Sequence, residues 1–228
     1  MSSLKKINGY SFTQYNKVTY NPAEMRKRAN DFYEWMDERR TVRDFSDKAI
    51  PKAVIENLIL TASSAPSGAH KQPWTFCVVS DALLKKQIRQ AAEAEEKESY
   101  RNRMSEEWLQ DLAPLQTDWQ KPFLETAPYL IIVFKRSYEY TPDGHKHQNY
   151  YVTESCGLAC GFLLAAIHHA GLVALTHTPS PMNFLLQLLK RPENEKPFLL
   201  IPVGYPAEEC FVPVLKRKSL EEVAVWYE

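Results

Sequence analysis

The sequence predicts a central sheet covered by helices on both faces, of the α+β or α/β kind. Strand-like apolar runs are few (WTFCVVS, YLIIVFKR, LVALT and FLLIPVGYP), and helical patterns separate them. The chain has 228 residues, 44% of them hydrophobic, enough to bury one ample core.

The elements follow in order. Asn21 and Pro22 pair an N-cap residue with a proline at the first helical position, opening an amphipathic helix to about residue 38. RRTVRDF comes next. A second helix begins at Pro51 and carries Val54, Ile55, Leu58 and Ile59 on one face. The stretch SSAPSGAHKQPWTF then leads to the first strand through a loop with prolines at positions 66 and 73, longer than a plain turn requires. From Ala82 onward the chain is helical, highly charged and expected to break. YLIIVFKR is a strand and SYEYTPDGHKHQ a polar loop. About 149–171 reads as an apolar helix buried on all sides. Its Gly157, Ala159, Gly161 and Ala165 let another helix approach closely, which suits a core shared between two copies. The strand LVALT, a short helix around MNFLLQLL, the strand FLLIPVGYP and a proline-punctuated tail complete the chain.

Composition excludes several classes. Lys+Arg and Asp+Glu are equal at 28 each, so no global field draws nucleic acid or an anionic membrane. The N-terminus lacks the apolar core of a signal peptide. Residues 155–176 are uncharged and nearly long enough to span a bilayer, but His168 and His169 interrupt them and Gly171 breaks them. The expectation is a cytoplasmic protein with no membrane segment. Cys77, Cys156, Cys160 and Cys210 form no C-x-x-C pair and read as reduced thiols. The histidines do not converge, so no metal is expected. Neither dinucleotide nor P-loop fingerprints occur, nor does a G-x-S-x-G elbow.

Several features have both an ordinary and a chemical reading. Arg39, Arg40 and Arg43 after a helix end suit a terminal phosphate, or simply complement the helix dipole. In the loop, the Ser67 hydroxyl and the backbone near Gly68 and Ala69 offer donors to a flat ligand, or only connect helix to strand. Glu96 and Tyr100, four residues apart, share one side of a helix and could grip an ammonium group, or face solvent. Lys121 alone reads as surface. Thr176 and Thr178 stand at a strand exit, where open sheets place ligand contacts. A second basic cluster spans Lys216–Lys218.

Taken in order, RRTVRDF, PSGAHKQPWTF, LTHTP, PVGYP and VPVLKRKSL resemble the nitroreductase-type FMN flavoprotein superfamily from about Tyr33 to the end. The trio Glu96, Tyr100 and Lys121 resembles a branch of it that dehalogenates halotyrosines. The resemblance implies an α+β fold, a nitroreductase-like central mixed sheet flanked by helices, in an arm-exchanged homodimer with sites at the subunit interface. It implies one domain over 1–228, with an N-terminal arm at 1–20, a substrate lid at about 90–125 and a C-terminal extension at about 205–228. FMN would be held by Arg39, Arg40, Thr41 and Arg217 at the phosphate, by Arg43 at the pyrimidine edge, and by Pro66, Ser67 and Gly68. Thr176, His177 and Thr178 would face the flavin, with Thr178 as the catalytic residue hydrogen-bonded to N5. His177 departs from the family, where a threonine is expected. The substrate, 3-iodotyrosine or a similar phenol, would meet the Ala69 N–H at its phenolate oxygen. Glu96 would take its ammonium group, Tyr100 and Lys121 its carboxylate. Electrons would come from NAD(P)H or another reductant. Two alternatives use the same residues less specifically: a general NAD(P)H-dependent nitro or quinone reductase, and a non-catalytic flavin or ligand binder.

Overall fold

The computed structural model describes residues 4–15 and 17–228. Positions 1–3 and 16, within the expected N-terminal arm, lie outside the described residues. The chain divides into two compact units, Met1–Arg39 and Arg40–Glu228.

The first unit contains a hairpin and a helix. Strands β1 (Leu4–Ile7) and β2 (Tyr10–Thr13) pair antiparallel around Asn8-Gly9. Both turn residues have positive φ (51° and 87°), the geometry that matches the twist of a two-residue hairpin. Helix α1 (Pro22–Asp37) is capped as expected, with Asn21 Oδ1 accepting from the N–H groups of Ala23 and Glu24 at 3.1 and 3.0 Å. No residue of α1 is buried.

The second unit is built on a sheet of β3 (Phe45–Ser46), β4 (Trp74–Val79), β5 (Tyr129–Arg136), β8 (Val173–Ala174) and β9 (Glu195–Pro206). Its path is β3-β9-β5-β4, with β8 also pairing β9. The named pairs are antiparallel, and Thr41 adds a parallel bridge to Ala174. Consecutive residues Leu130 to Phe134 of β5 are fully buried. Leu130, Ile132 and Phe134 pack with residues of α3 (Ala82–Glu98), α5 (Phe123–Thr126) and α7 (Phe184–Leu188). Ile131 and Val133 pack with α2 (Lys52–Ser63) and α6 (Val152–His169). Helices on both faces explain why this run does not alternate with polar residues. Each such side chain contributes about 1.5–3 kcal/mol of transfer free energy.

Three expectations need correction. The helix at α6 is not buried all round: Gly157, Leu158, Gly161 and Phe162 form an exposed stripe. One face of the helix packs on the sheet, and among the described residues nothing covers the other. LVALT forms a ladder only at Val173–Ala174, and then bridges β9 at His177–Leu200. The polar loop holds a second hairpin, β6 (Tyr138–Tyr140) with β7 (Lys146–Gln148). The charged run breaks as expected, but through a π-turn at Ser99–Arg103 before α4 (Glu106–Leu112). A short α8 (Leu220–Val223) lies near the end. Among the described residues, no helix is long and apolar enough to cross a membrane.

Candidate functional site

A polar cluster forms where α3 ends and the approach to α5 begins. Spacing on α3 puts Ile88 and Ala92 into the core and turns Glu96 onto the face that meets the 117–121 segment. Glu96 is only 8% exposed and Lys121 only 4%. Their charged groups lie 3.4 Å apart. Lys121 Nζ also donates to the carbonyl oxygen of Asp118 and to Thr117 Oγ1. The Tyr100 hydroxyl donates to Thr117 O at 3.1 Å, and Lys121 Nζ stands 5.6 Å from the centre of the Tyr100 ring. The three side chains singled out from the sequence therefore converge. Thr117 and Asp118, which fix the lysine and the phenol, gave no sequence signal.

Burial sets the electrostatics of this cluster. Desolvation raises the Glu96 pKa above the usual carboxylate range, against the opposing pull of Lys121. Desolvation likewise lowers that of Lys121, although Glu96 and Asp118 favour its charge. The Tyr100 phenol is pushed up, chiefly by burial. Both members of the ion pair are thus held partly against their charged forms, as expected where desolvation outweighs a single attraction.

Arg43 and His177 adjoin the cluster. Arg43 exerts its charge on Tyr100, Lys121 and His177. The imidazole is 7% exposed, meets the Phe123 ring edge-on at 5.7 Å between centroids, and its Nε2 has no hydrogen-bond partner. Burial first, then Lys121 and Arg43, pull its pKa down to about 3. Its backbone exchanges two hydrogen bonds with Leu200, of 2.8 and 3.0 Å. Thr176 and Thr178 on either side are exposed. Alternation in this extended segment therefore sends the two hydroxyls outward and the histidine inward, away from the face expected to carry all three.

The arginine segment runs beside this strand. The Val42 N–H donates to Ala174 O at 3.2 Å, so Thr41 and Arg43 flank a buried valine next to β8. Arg40 donates to the carbonyl oxygen of Pro213, which brings the C-terminal segment containing Arg217 toward it. Arg39 falls in the N-terminal unit, where its N–H donates to Met36 O at 3.2 Å.

The Pro66–Gln72 loop is rigid by construction. Ser67 Oγ accepts from the Gln72 N–H at 2.9 Å, and the Gly68 N–H reaches Ser155 Oγ at 3.4 Å. Ala69, His70 and Gln72 all take positive φ, of 48°, 54° and 47°. Three non-glycine residues in that region store strain of the kind that clusters at ligand sites. Gly68 has a different reason to be glycine than closeness to a ligand: a Cβ there would sit 2.7 Å from the Tyr151 ring and 3.0 Å from Tyr150 O. In the chain this loop is held by α6, while the Glu96–Lys121 cluster is held by α3 and the entry to α5.

A strand-centred α+β unit with an arginine segment laid beside its threonine-lined edge defines a class, and comparison with known proteins agrees. Residues 36–205 match the model of the Nitroreductase family, and the chain belongs to that family. It is similar to an iodotyrosine deiodinase of Haliscomenobacter hydrossis, with 64% identity over 95% of this chain and 98% of the relative. Iodotyrosine deiodinase 1 of Homo sapiens is 47% identical over 90% of this chain and 72% of its own length. Among solved structures, an oxidised iodotyrosine deiodinase bound to FMN and 3-iodo-L-tyrosine superposes with a TM-score of 0.74 at 33% identity, covering 86% of this chain and 98% of that one.

Proposed function

We propose that this protein is an FMN-dependent reductive dehalogenase of halotyrosines, converting 3-iodotyrosine to tyrosine and halide. The observation that carries this reading is the convergence of Glu96, Tyr100 and Lys121 in one shielded cluster. A single ion pair leaves both charges poorly compensated. A free amino acid adds an ammonium group for Glu96 and a carboxylate for Lys121 and the Tyr100 hydroxyl. Charge-assisted hydrogen bonds of this kind contribute roughly 1.5–3 kcal/mol each. A substrate without the amino-acid end gains none of this.

The residues around the cluster fit FMN. Burial, with the charges of Lys121 and Arg43 added to it, keeps the His177 imidazole neutral, and the Arg43 cation suits an anionic group. Arg39, Arg40, Thr41 and Arg217 would hold the phosphate, Arg43 the pyrimidine edge, and Pro66, Ser67, Gly68, Thr176 and Thr178 the ring system. FMN supplies, when bound, the electrons that reductive carbon–halogen cleavage consumes, replenished from NAD(P)H or another reductant. The rest falls to the chain. Thr178, whose hydroxyl is exposed, would donate to the flavin N5, and the Ala69 N–H, carried on a left-handed backbone, would hold the phenolate oxygen. His177 packs inward and supports this segment from behind.

The site is assembled in a homodimer on this reading. Large apolar side chains are exposed in three places: Tyr10, Phe12 and Phe32 near the N-terminus, Leu158 and Phe162 on α6, and Phe211, Val214 and Trp226 near the C-terminus. Exposed apolar surface on this scale marks an interface. Exchanged arms covering it would bring the loop of one copy to the cluster of the other.

The test is anaerobic. Reduced, FMN-loaded protein mixed with 3-iodotyrosine is expected to reoxidise and release one iodide per flavin. Reoxidation by nitroaromatics but not by 3-iodotyrosine would leave a general reductase instead.

A further inference from the structure

One face of α3 is a ladder of polar contacts to the segment entering and leaving α5. Lys85 Nζ donates to the carbonyl oxygens of Glu125 and Ala127, both at 2.8 Å. One turn later, Arg89 binds Glu93 Oε1 through Nε at 2.7 Å and Glu125 Oε1 through Nη1 at 3.2 Å. The same Glu93 Oε1 accepts the backbone N–H of Lys121 at 2.7 Å. Three residues on, Glu96 meets the Lys121 ammonium. Two glutamates on adjacent turns therefore hold a single lysine at both ends, Glu93 by the main chain and Glu96 by the side chain.

We infer that Glu93 is a positioning residue for the amino-acid clamp: it fixes the Lys121 main chain in register with α3, so that the ammonium stands where a substrate carboxylate can meet it. The inference rests on the halotyrosine reading above. The geometry requires a group at this point. The Lys121 N–H precedes the first turn of α5 and has Glu93 as its acceptor, while the Lys121 carbonyl already accepts from Leu124 at 3.0 Å. Were the carboxylate removed, a part-buried N–H would lose its partner and the 117–121 segment its tie to α3. Among the described residues the Glu93 carboxylate bonds to Arg89 and to the Lys121 main chain, neither of which is assigned to hold the flavin, so its effect is expected on substrate binding. Arg89 acts one step further back, holding the carboxylate oxygen in place.

The experiment compares Glu93→Ala, Glu93→Gln and Arg89→Met as FMN-loaded proteins, scoring FMN content, melting temperature, and KM and kcat for 3-iodotyrosine. Glu93→Ala is expected to raise KM about tenfold or more with kcat within about threefold, because the clamp binds without touching the reacting bond. Glu93→Gln keeps a carbonyl oxygen for the Lys121 N–H and should restore KM to within about threefold of the parent. Arg89→Met should raise KM by a smaller factor than Glu93→Ala. Should Glu93→Ala lose its FMN, the Gln and Met variants carry the test by themselves. Parent turnover of 3-iodotyrosine with unchanged KM in Glu93→Ala (or in Arg89→Met, should Glu93→Ala lose its FMN), or a Gln variant as impaired as Ala, overturns the positioning role alone. Absence of 3-iodotyrosine turnover in the parent removes the halotyrosine reading, and this inference with it.

Discussion

The Lys121 ammonium lies 3.4 Å from the Glu96 carboxylate in a place that disfavours both charges. A pair held this way is tuned for a ligand rather than for the empty fold. The double variant Glu96→Gln, Lys121→Met should therefore melt at or above the parent temperature while losing 3-iodotyrosine affinity by about a hundredfold or more. Single substitution of Lys121 leaves the carboxylate buried without its cation and should lower stability. A double variant less stable than either single one would contradict this account. Thermal unfolding and titration of flavin fluorescence measure the two effects.

Opposite pH trends for stability and binding follow from the same pair. Glu96 has a raised folded pKa, so its contribution to stability is present below the unfolded value and lost as pH rises through the folded one. Binding of a zwitterion needs the ionised form. Affinity should fall on acidification at a pH above the ordinary 4.5 of a glutamate. That acid limb should vanish in Glu96→Gln, leaving a weak, flat profile. An acid limb unmoved by the substitution would assign it to another group.

Acid stability reports on His177. Its folded pKa is depressed from 6.5 to about 3, so the stability it contributes is present above pH 6.5 and lost as pH falls toward 3. His177→Leu keeps the contact with Phe123 and removes the group that must charge. Between pH 7 and pH 5 the parent should lose about 2 kcal/mol more than the variant, one pKa unit being about 1.4 kcal/mol. Urea unfolding at the two pH values is the measurement, and equal losses would show that the imidazole is not dry.

Much of this architecture was legible in the residues. Asn21-Pro22 marked a helix start because cap and fixed φ act locally, and YLIIVFKR marked a central strand because its five successive apolar residues, Leu130 to Phe134, are shielded from water on both faces. Glu96, Tyr100 and Lys121 were legible only as a trio, since each alone resembles surface charge. What escaped depends on tertiary context. His177 reads as one more polar residue in LTHTP, and only the register against Leu200 turns it inward. The helix at α6 looked wholly buried because apolar composition does not say which neighbour is present. The Asn8-Gly9 hairpin carries a local turn signal, but its two four-residue strands are exposed and too short to show an apolar alternation. Glu93 was hidden among charges whose partners lie 28 residues away.

We propose that the segment at about 90–125 acts as a lid that opens locally. Ser180 O accepts from Arg103 Nη1 at 2.8 Å and from Ser99 Oγ at 3.4 Å, and Arg103 also meets Glu95 at 2.9 Å. These contacts latch the π-turn to the segment just beyond Thr178. Arg103 is nearly half exposed, so the ion pair contributes at most about 1 kcal/mol. Arg103→Ala should speed protease cleavage within residues 99–115 of the ligand-free protein. Saturating 3-iodotyrosine should protect parent and variant alike, because on the proposed reading it would bind through Glu96, Tyr100 and Lys121 on both sides of the latch. Equal cleavage with and without ligand would rule out a lid.

Assembly is tested on α6. Leu158 and Phe162 lie one turn apart on its exposed stripe, with Gly157 and Gly161 beside them and open space where each glycine Cβ would stand. A second copy of the helix can approach closely there, and a carboxylate in that seam would be buried without a partner. Phe162→Glu should convert a dimer to a monomer by light scattering at micromolar concentration. Because each site is read as drawing on both copies, the monomer should also lose its yellow colour. Retention of FMN by a monomeric variant would confine the flavin site to one chain and remove the need for exchanged arms.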